Sequence, residues 1–527
     1  MSKQLSRRGF LKLAGASSIA AILAACAPAS APTQAPAPTQ ASASTEATAA
    51  PQATAVPEAT QAPAAAGTKK TIKHYLQGLT PRERTADDAV DPPKYANTLK
   101  AQYEEAHPGV TIEFVPNLAQ GYEEWLVTQM SGGTSPEIVW YQRGYISRDY
   151  NKGWFVNLDP YLAEPDTYVP DNKTWKEIFQ PPVIESGKAP DGHIYMITGD
   201  IVGTGFFYNQ DMFDKLGLKV PETWKEFEVV EKAIKDSGVT PISISFDLSG
   251  GTQLWGSWST RIIQDVMYDK KMGMIKGTNQ PVPRTWKPGE NLPQPVMVKA
   301  IVEKRYGATD PEFKEMLKIL KDWSQWFVDS FWAFPNTDVY KLWANGQAAM
   351  TWQGSWMNKT VLNDPLIKFK YGVLPKIPQI TTETSQFGGI DFPAMAGVGG
   401  VFQYAIAAEA EKRGNLNETI DWMRFITAPK NLIALLNDHG GFAPGTVDTT
   451  GADPTLAVYT DMMVKYGTER MEPFDSMLTR EFVDTMWNEL QQFLAGQMQL
   501  DAFATTLQGQ MEAAAKSLAD EHPEWVK

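Results

Sequence analysis

The sequence predicts an α/β protein of two lobes joined by a hinge. At 527 residues, the chain is too long for one compact core. From residue 69 onward strand-like and helix-like segments alternate, which predicts largely parallel sheets with helices on both faces. Between residues 191 and 246 a strand leaves one lobe and a new strand and helix begin another, with Gly199, Gly203 and Gly205 at the transition. We expect the chain to bend there, because glycine tolerates backbone angles that side chains forbid.

Composition is that of a soluble globular protein and argues against one class of partner. Hydrophobic residues make up 43% of the sequence and charged residues 21%. The net charge of −13 argues against nucleic acid as a partner, because phosphate contacts need a basic face. It argues equally against adsorption to anionic lipid.

The first 25 residues are typical of an export signal. Residues 6–12 read SRRGFLK and resemble a twin-arginine signal, while the apolar run from 11 to 25 is too short to span a membrane as a mature helix. The run closes with LAAC, which matches the bacterial lipobox and ends at Cys26, the only cysteine of the sequence. We therefore expect residues 1–25 to be removed and the Cys26 thiol to be acylated, giving membrane attachment without a spanning helix.

Residues 26–68 are predicted to form a flexible linker. From 27 to 66 the chain consists of Ala, Pro, Thr, Ser and Gln with few other residues, only Glu46 and Glu58 are charged, and no residue is aromatic. Such a segment cannot repay the entropy of folding, so we expect a tether that holds the globular part away from the membrane. With a single cysteine, no intramolecular disulfide can form.

The segments that follow predict the first lobe in order. Strand-like or helix-like patterns occur at 71–76, 95–106, 110–114, 122–130 and 138–140. In parallel sheets, ligands bind at the carboxyl ends of strands. The loops at Gln77-Gly78 and Tyr141-Gln142-Arg143 are therefore candidate ligand sites.

The second lobe is predicted from similar patterns. Thr223 and Glu226 form the capping-box signature of a helix with an apolar face. Further strand-like segments lie at 241–246, 348–354 and 371–375, and helix-like segments at 310–327, 419–428, 482–494 and 500–518. Residues 270–300 are rich in Pro, Gly and Lys, which predicts a long surface excursion. The glycine-rich segments at 397–400 and 440–444 predict a second and a third crossing between the lobes.

Several phrases, taken in order, resemble those of a known family. They are a helix followed by HPGV and a strand, SGGTSPEIVW, KGWFVNLDPYL, DGHIYMITGD followed by FFYN, ANGQAAM leading to Gly354-Ser355-Trp356, and Gly441-Phe442-Ala443-Pro444. Behind a lipobox, this order is similar to that of family 1 extracellular solute-binding proteins of carbohydrate-uptake ABC transporters, such as maltose-binding and multiple-sugar-binding lipoproteins. The resemblance covers 69–527 without 270–300.

The resemblance implies a type II periplasmic-binding-protein fold whose hinge is crossed three times and whose interlobe cleft binds a sugar. The expected lobes are 69–203 plus 402–440, and 204–401 plus 441–527 with the C-terminal helices. The implied protein is an extracytoplasmic, lipid-anchored monomer without a cofactor or a metal. Its implied partners are a sugar ligand, the permease subunits of an ABC transporter and, through acylated Cys26, the lipid membrane.

The resemblance and the chemistry of sugars together select the candidate ligand-binding residues. Aromatic rings cover the apolar C–H faces of a pyranose, and polar side chains bond its hydroxyls. Trp356 and Tyr141 are the stacking candidates, and Asp200 and Gln142 the hydroxyl partners. The full candidate set is Gln77, Gly78, Tyr141, Gln142, Arg143, Asp200, Trp255, Trp258, Gly354, Ser355, Trp356, Gly399 and Phe442. Gly144 stands where maltose-type members carry an acidic residue, so the polar contacts must differ here.

Structural roles are the alternative for several of these residues. Trp255 or Trp258 could belong to the core of a lobe. Asp200 could bond a backbone N–H of the hinge. Arg143 could be a solvated surface charge.

Two other functions compete with that of a sugar receptor. A membrane-anchored glycoside hydrolase would need two carboxylates about 5–10 Å apart across the scissile bond, and only Asp200 can be assigned to the cleft. The sequence has no HExxH or GxSxG motif, and its five histidines show no metal-ligand spacing. A receptor for a non-sugar solute such as a polyol phosphate would favour several cleft Lys or Arg residues, whereas only Arg143 is near. We expect a binding protein and not an enzyme.

The lipobox generates a direct test. Cys26→Ser removes the thiol that would be acylated, so the variant should leave the membrane fraction and appear in the soluble extracytoplasmic fraction. Fractionation followed by immunoblotting checks this. A variant that still sediments with the membrane would contradict the anchor.

Overall fold

The computed structural model describes residues 69–527, apart from 87, 89, 119–120, 249, 251, 285–291, 375 and 472–473. The predictions for residues 1–68, including the signal, Cys26 and the linker, lie outside the described residues. Within the described part of the chain, no helix combines the length and the apolar character needed to cross a membrane.

Strands and helices alternate along the described chain. The strands are β1 (Lys70–His74), β2 (Val110–Phe114), β3 (Ile138–Trp140), β4 (Met196–Thr198), β5 (Asp200–Asn209), β6 (Thr240–Ser243), β7 (Ala348–Gly354), β8 (Tyr371–Leu374), β9 (Ala396–Val398), β10 (Gln403–Ile406) and β11 (Ala443–Pro444). The first helices are α1 (Tyr95–Ala106), α2 (Tyr122–Gly132), α3 (Arg143–Asp149), α4 (Asp159–Leu162), α5 (Pro181–Glu185), α6 (Gln210–Leu216), α7 (Trp224–Asp236), α8 (Ser257–Met267), α9 (Met272–Lys276) and α10 (Gln294–Val302). They are followed by α11 (Pro311–Trp323), α12 (Asn336–Ala344), α13 (Asn358–Asn363), α14 (Glu409–Lys412), α15 (Leu416–Thr427), α16 (Pro429–His439), α17 (Ala457–Tyr466), α18 (Phe474–Met477), α19 (Arg480–Leu494) and α20 (Leu500–Glu521).

The first lobe is built on a sheet with the order β2-β1-β3-β10-β4. β1 runs parallel to β2 and β3, and β10 runs antiparallel to β3 and β4. The predicted helix at 95–106 and the predicted strands at 110–114 and 138–140 are confirmed at their stated bounds. The three strands from the N-terminal part of the chain, β2, β1 and β3, are therefore parallel, and β10 joins them from a segment more than 250 residues after β3.

The second lobe is built on a sheet with the order β11-β5-β7-β6, in which β8 and β9 also pair with β5. The chain passes from the first sheet to the second between β4 and β5, returns between β9 and β10, and leaves again between α16 and β11. The hinge is therefore crossed three times. The lobe boundary expected at residue 203 falls inside β5, and the lobe boundaries stay predictions.

The glycines of the first crossing serve close packing. Gly199, Gly203 and Gly205 do not adopt positive φ angles. A Cβ atom at Gly203 would lie 1.8 Å from the ring of Tyr459, and one at Gly199 would lie 2.7 Å from the ring of Phe402. The crossing is thus a tightly packed strand, whereas the sequence suggested a softened backbone.

The core of the second lobe is rich in aromatic rings. Trp352 of β7 lies 5.0 Å from Phe206, 5.2 Å from Trp255 and 6.1 Å from Trp323, measured between ring centroids. The predicted capping box of α7 is present, with Thr223 and Glu226 bonding each other's backbone N–H groups. These aromatic residues make up a large part of the buried core of the second lobe.

The expectation of a surface excursion at 270–300 is wrong for much of its described part. Its apolar side chains are buried in the core of the second lobe, because α9, α10 and the segments beside them pack inward. The buried residues are Met272, Ile275, Val282, Leu292, Met297, Val298 and Ala300.

A fully buried carboxylate ties this region to the rest of the second lobe. Asp265 of α8 lies 2.5 Å from Arg284 Nε and 2.9 Å from Arg470 Nη2. Arg470 also lies 3.0 Å from Asp269. Burial alone would raise the pKa of Asp265, but the two guanidinium groups hold it below its ordinary value. Asp265 is therefore ionised, and it links segments that are about 200 residues apart in sequence.

Asp265→Ala should destabilise the second lobe strongly, because it leaves Arg470 buried without its main partner. Breaking a buried ion pair in this way costs about 3–5 kcal/mol in the free energy of unfolding. Urea unfolding followed by Trp fluorescence measures the loss. Asp236→Asn removes the exposed Lys232–Asp236 pair and serves as the control, which should leave the midpoint unchanged. Equal midpoints for both variants would contradict the structural role of Asp265.

Candidate functional site

The three crossings meet around the carboxylate of Asp200 at the start of β5. This carboxylate accepts hydrogen bonds from the backbone N–H groups of Gly400 (3.0 Å), Val401 (3.0 Å) and Phe402 (3.2 Å). Its burial raises its pKa to about 6, although the N–H donors act in the opposite direction. The role of hydroxyl partner is therefore corrected: Asp200 is fully buried and its oxygens are used by the hinge backbone.

Trp356 lies where the cores of the two lobes come together. It follows β7 in the turn Ser355–Met357, is half-buried, and packs against the core clusters of both lobes. Its ring covers Gly354 so closely that a Cβ atom there would lie 2.0 Å from the ring. Ser355 is buried and its Oγ accepts the N–H of Gly203 at 3.3 Å. Of the predicted stacking rings, Trp356 is the one at the lobe boundary.

On the first-lobe side, Gln77 and Gly78 form a tight turn directly after β1. Gln77 has a φ of +49°, and Gly78 is exposed. A Cβ atom at Gly78 would lie 3.6 Å from Nε2 of His439. The ring of Phe442 lies 4.8 Å from that of His439, measured between centroids.

These contacts join into one region. A Cβ atom at Gly441 would lie 2.6 Å from Trp356 Cα and 3.1 Å from His439 Nδ1, and one at Gly400 would lie 2.4 Å from Phe442. We call the region the hinge cleft and define it by Gly78, Gly400, Ser355, Trp356, His439 and Phe442. Gly399, with a φ of +81°, lies at its edge beside the side chain of Gln403.

His439 is a residue of the hinge cleft that the sequence reasoning missed. Its Nδ1 atom is buried and has no hydrogen-bond partner within the described protein. Burial, helped by the positive charge of Lys359, lowers the pKa of His439 to about 4, so the imidazole is neutral at physiological pH. A neutral imidazole both donates and accepts hydrogen bonds. Its position directly before the Gly440-Gly441 pair was the available signal.

The three candidate residues that follow β3, Tyr141, Gln142 and Arg143, lie in different environments. Tyr141 is fully buried, its hydroxyl donates to Asp149 Oδ2 at 2.5 Å, and its ring packs edge-on against Phe155. The stacking role is therefore corrected, because the ring belongs to the core of the first lobe. Gln142 is half-buried at the N-terminus of α3 and remains a candidate. The side chain of Arg143 lies outside the described part of the structure.

The two candidate tryptophans of the second lobe, Trp255 and Trp258, both contact other groups of the protein. Trp255 is buried and donates its Nε1–H to Asn336 Oδ1 at 3.0 Å. It is therefore corrected to a core residue. Trp258 is half-buried, and the guanidinium carbon of Arg261 lies 4.1 Å from its ring centroid. One face of that ring is therefore taken by a cation.

Asp247 is a buried acid of the second lobe. It follows β6, which runs parallel to β7, so it lies on the same sheet edge as the residues that follow β7. Asp247 is buried and donates its N–H to Ser245 Oγ at 3.1 Å. Its Oδ1 atom accepts a hydrogen bond from the hydroxyl of Ser245 at 3.3 Å, so the carboxylate is engaged by the protein. Among the residues that the structure describes, no group of three or more His, Cys, Asp or Glu side chains is arranged to hold a metal ion.

Comparison with known proteins is consistent with this geometry. A family model described as bacterial extracellular solute-binding protein matches residues 86–433. The multiple sugar-binding protein of Streptococcus mutans is 27% identical over 135 residues, which are 25% of this chain and 27% of that protein. The match thus spans about a quarter of that relative's length.

Two solved structures share the fold. A chitin oligosaccharide binding protein has a TM-score of 0.59 at 17% identity, covering 85% of this chain and 99% of its own. RafE of Streptococcus pneumoniae, in complex with raffinose, has a TM-score of 0.55 at 20% identity, covering 84% and 99%. These likenesses establish the two-lobed α/β architecture.

The buried Asp200 gives a pH-dependent prediction. Its folded pKa is raised, so its contribution to stability is fully present below the unfolded value of about 4 and is lost as pH rises through about 6. Asp200→Asn should destabilise the protein most at pH 4, and the difference from the wild type should shrink by roughly 2–3 kcal/mol towards pH 7. Urea unfolding of both proteins at pH 4, 5, 6 and 7 tests this. A difference that stays constant over this range would contradict it.

Proposed function

Because the chain belongs to the bacterial extracellular solute-binding protein family, we propose that it captures a sugar or oligosaccharide in the hinge cleft and delivers it to the permease of an ABC importer. The observation that carries the proposal is the position of Trp356. It offers an aromatic ring between the cores of both lobes, beside His439 and Phe442. A ligand bound there would contact both lobes at once.

The chemistry of the hinge cleft suits a sugar. Trp356 supplies an apolar face for the C–H groups of a pyranose. The neutral imidazole of His439 is a partner for a hydroxyl from the first-lobe side. Gln142 follows β3, and we assign it as a further hydroxyl partner. The multiple sugar-binding relative and the chitin oligosaccharide binding protein support a sugar as the ligand class.

We assign the protein a binding role and not a catalytic one. The carboxylate of Asp200 is occupied by three backbone N–H groups and cannot serve as half of a hydrolytic pair. Membership in a solute-binding family points in the same direction.

The N-terminal features complete the proposal. Acylation of Cys26 would attach the protein to the outer side of the membrane, and residues 27–68 would tether the lobes near the permease. The protein would act as a monomer.

Ligand binding by the chain with Cys26→Ser tests the proposal. Intrinsic Trp fluorescence and thermal unfolding are recorded against mono- and oligosaccharides, including raffinose and chitin oligosaccharides. A saturable shift with the sugar recovered unchanged is the expected result. Recovery of cleaved sugar would favour the hydrolase. A response to polyol phosphates with none to any sugar would favour the non-sugar receptor.

Trp356→Ala should weaken the binding of the responding sugar at least tenfold and leave the fold intact. The loss of one stacking face costs about 1–3 kcal/mol of binding free energy. Isothermal titration calorimetry measures the affinity. Trp326→Ala is the matched control, since Trp326 is also half-buried but packs only against the second-lobe core. Unchanged affinity in the Trp356 variant would remove this ring from the site.

A further inference from the structure

The lobes also meet where α3 of the first lobe packs against α18 of the second. Ile146 of α3 belongs to a core cluster with Val139 of β3, so α3 is fixed to the first sheet. Phe474 and Met477 of α18 belong to the large second-lobe core. Each helix is thus part of its own lobe, and the contact between them joins the two lobes.

An arginine of the second lobe reaches across this contact. Arg480, the first residue of α19, lies 2.5 Å from Glu123 Oε2 and 3.8 Å from Glu124, both on α2 of the first lobe. The other oxygen of Glu123 accepts a hydrogen bond from Arg148 Nη1 at 2.8 Å. Arg148 in turn bonds both oxygens of Asp149, at 2.8 and 2.6 Å. The result is a continuous row of alternating charges.

The row ends in the core of the first lobe, next in sequence to the candidate residue Gln142. Asp149 accepts the hydroxyl of Tyr141 at 2.5 Å, and Tyr141 directly precedes the candidate residue Gln142. The side chains of Glu123 and Arg148 are each 17% exposed and that of Asp149 is fully buried, whereas that of Arg480 is 45% exposed. The three charged side chains of the first lobe therefore hold one another in place. Arg480, the most exposed of the four, is the one that can separate from the row.

The C-terminal end of the chain contacts the same first-lobe segment. The ring of His522 lies 6.4 Å from that of Tyr150 at an interplanar angle of 24°. His522 Nε2 lies 3.5 Å from Asn151 Nδ2. Second-lobe groups thus flank residues 143–151 on more than one side, with Arg480 supplying the charged contact.

We propose that the Arg480–Glu123 pair is an electrostatic clasp that biases the two lobes towards the closed arrangement before any ligand arrives. Arg148 holds the Glu123 carboxylate in place for Arg480, so little ordering is needed when the lobes close. Because Arg480 is partly exposed, dissolved salt weakens the pair and shifts the lobes towards the open arrangement. That this bias changes the affinity for a ligand rests on the proposed function, whereas the effect of the pair on the distance between the lobes does not.

The clasp is tested by the lobe distance in the ligand-free protein. The full chain with Cys26→Ser contains no other cysteine, so spin labels can be placed at Glu105→Cys and Lys225→Cys, which are exposed positions on α1 and α7. Pulsed electron spin resonance then reports the distribution of distances between the lobes. Each protein is measured at 20 mM and at 500 mM NaCl, without ligand.

Arg480→Gln should raise the ratio of open to closed protein up to about fivefold at low salt, the size expected for a partly exposed ion pair. Arg480→Glu should raise it further, because it places a third carboxylate beside Glu123 and Glu124. The wild type should open with added salt, and the Arg480→Gln variant should not respond. Removal of Arg480 leaves Glu123 paired with Arg148, so thermal unfolding should show both variants folded.

The control is Lys516→Gln, which breaks the exposed Lys516–Asp520 pair within α20 and leaves the lobe contact intact. It should keep the wild-type distances and salt response. Distances in Arg480→Gln that match the wild type at both salt concentrations would overturn the clasp. Opening of Arg480→Gln in a protein that binds no sugar would uphold the clasp and contradict only the proposed function.

Discussion

The buried carboxylate of Asp200 is the contact on which the arrangement of the hinge depends. The turn between β9 and β10 presents three successive N–H groups that would otherwise lack hydrogen-bond partners, and the carboxyl group of Asp200 accepts from all three. The turn can approach this closely because residue 400 is glycine, whose missing Cβ would lie 2.9 Å from the carboxylate. Phe442 packs against the same glycine. This one carboxyl group therefore fixes the first two crossings to each other, and the third rests on them.

The rest of the hinge cleft is built outward from this anchor. Ser355 bonds the backbone of the first crossing, which sets the position of Trp356 at the end of β7. A side chain at 441 would meet both Trp356 and His439, so the glycine there lets both residues approach the same backbone segment. Residues from four separate parts of the chain thus reach one place through backbone contacts. Of the side chains in the hinge cleft, those of Trp356 and His439 are partly exposed, whereas those of Ser355 and Phe442 are buried.

Local patterns predicted the secondary structure well and the site only in part. The helix at 95–106 and the strand at 110–114 follow from periodicity and from the His107-Pro108-Gly109 stop between them, which are properties of neighbouring residues. The environment of Tyr141 depends on Asp149 and Phe155, and that of Trp255 on Asn336. A ring that follows a strand looks the same in the sequence whether it faces a ligand or a core. His439 was missed for the converse reason, because Gly78, its first-lobe neighbour in the cleft, is 361 residues away.

The packing of Gly203 against Tyr459 has a consequence for how this protein can change over evolution. The ring of Tyr459 occupies the space that any side chain at 203 would need. The packing of α17 against β5 therefore depends on a glycine at 203 and a large ring at 459. Neither partner can be exchanged alone without opening a void or forcing a clash. We expect the two positions to vary together among homologous chains, with the size of one compensating the size of the other.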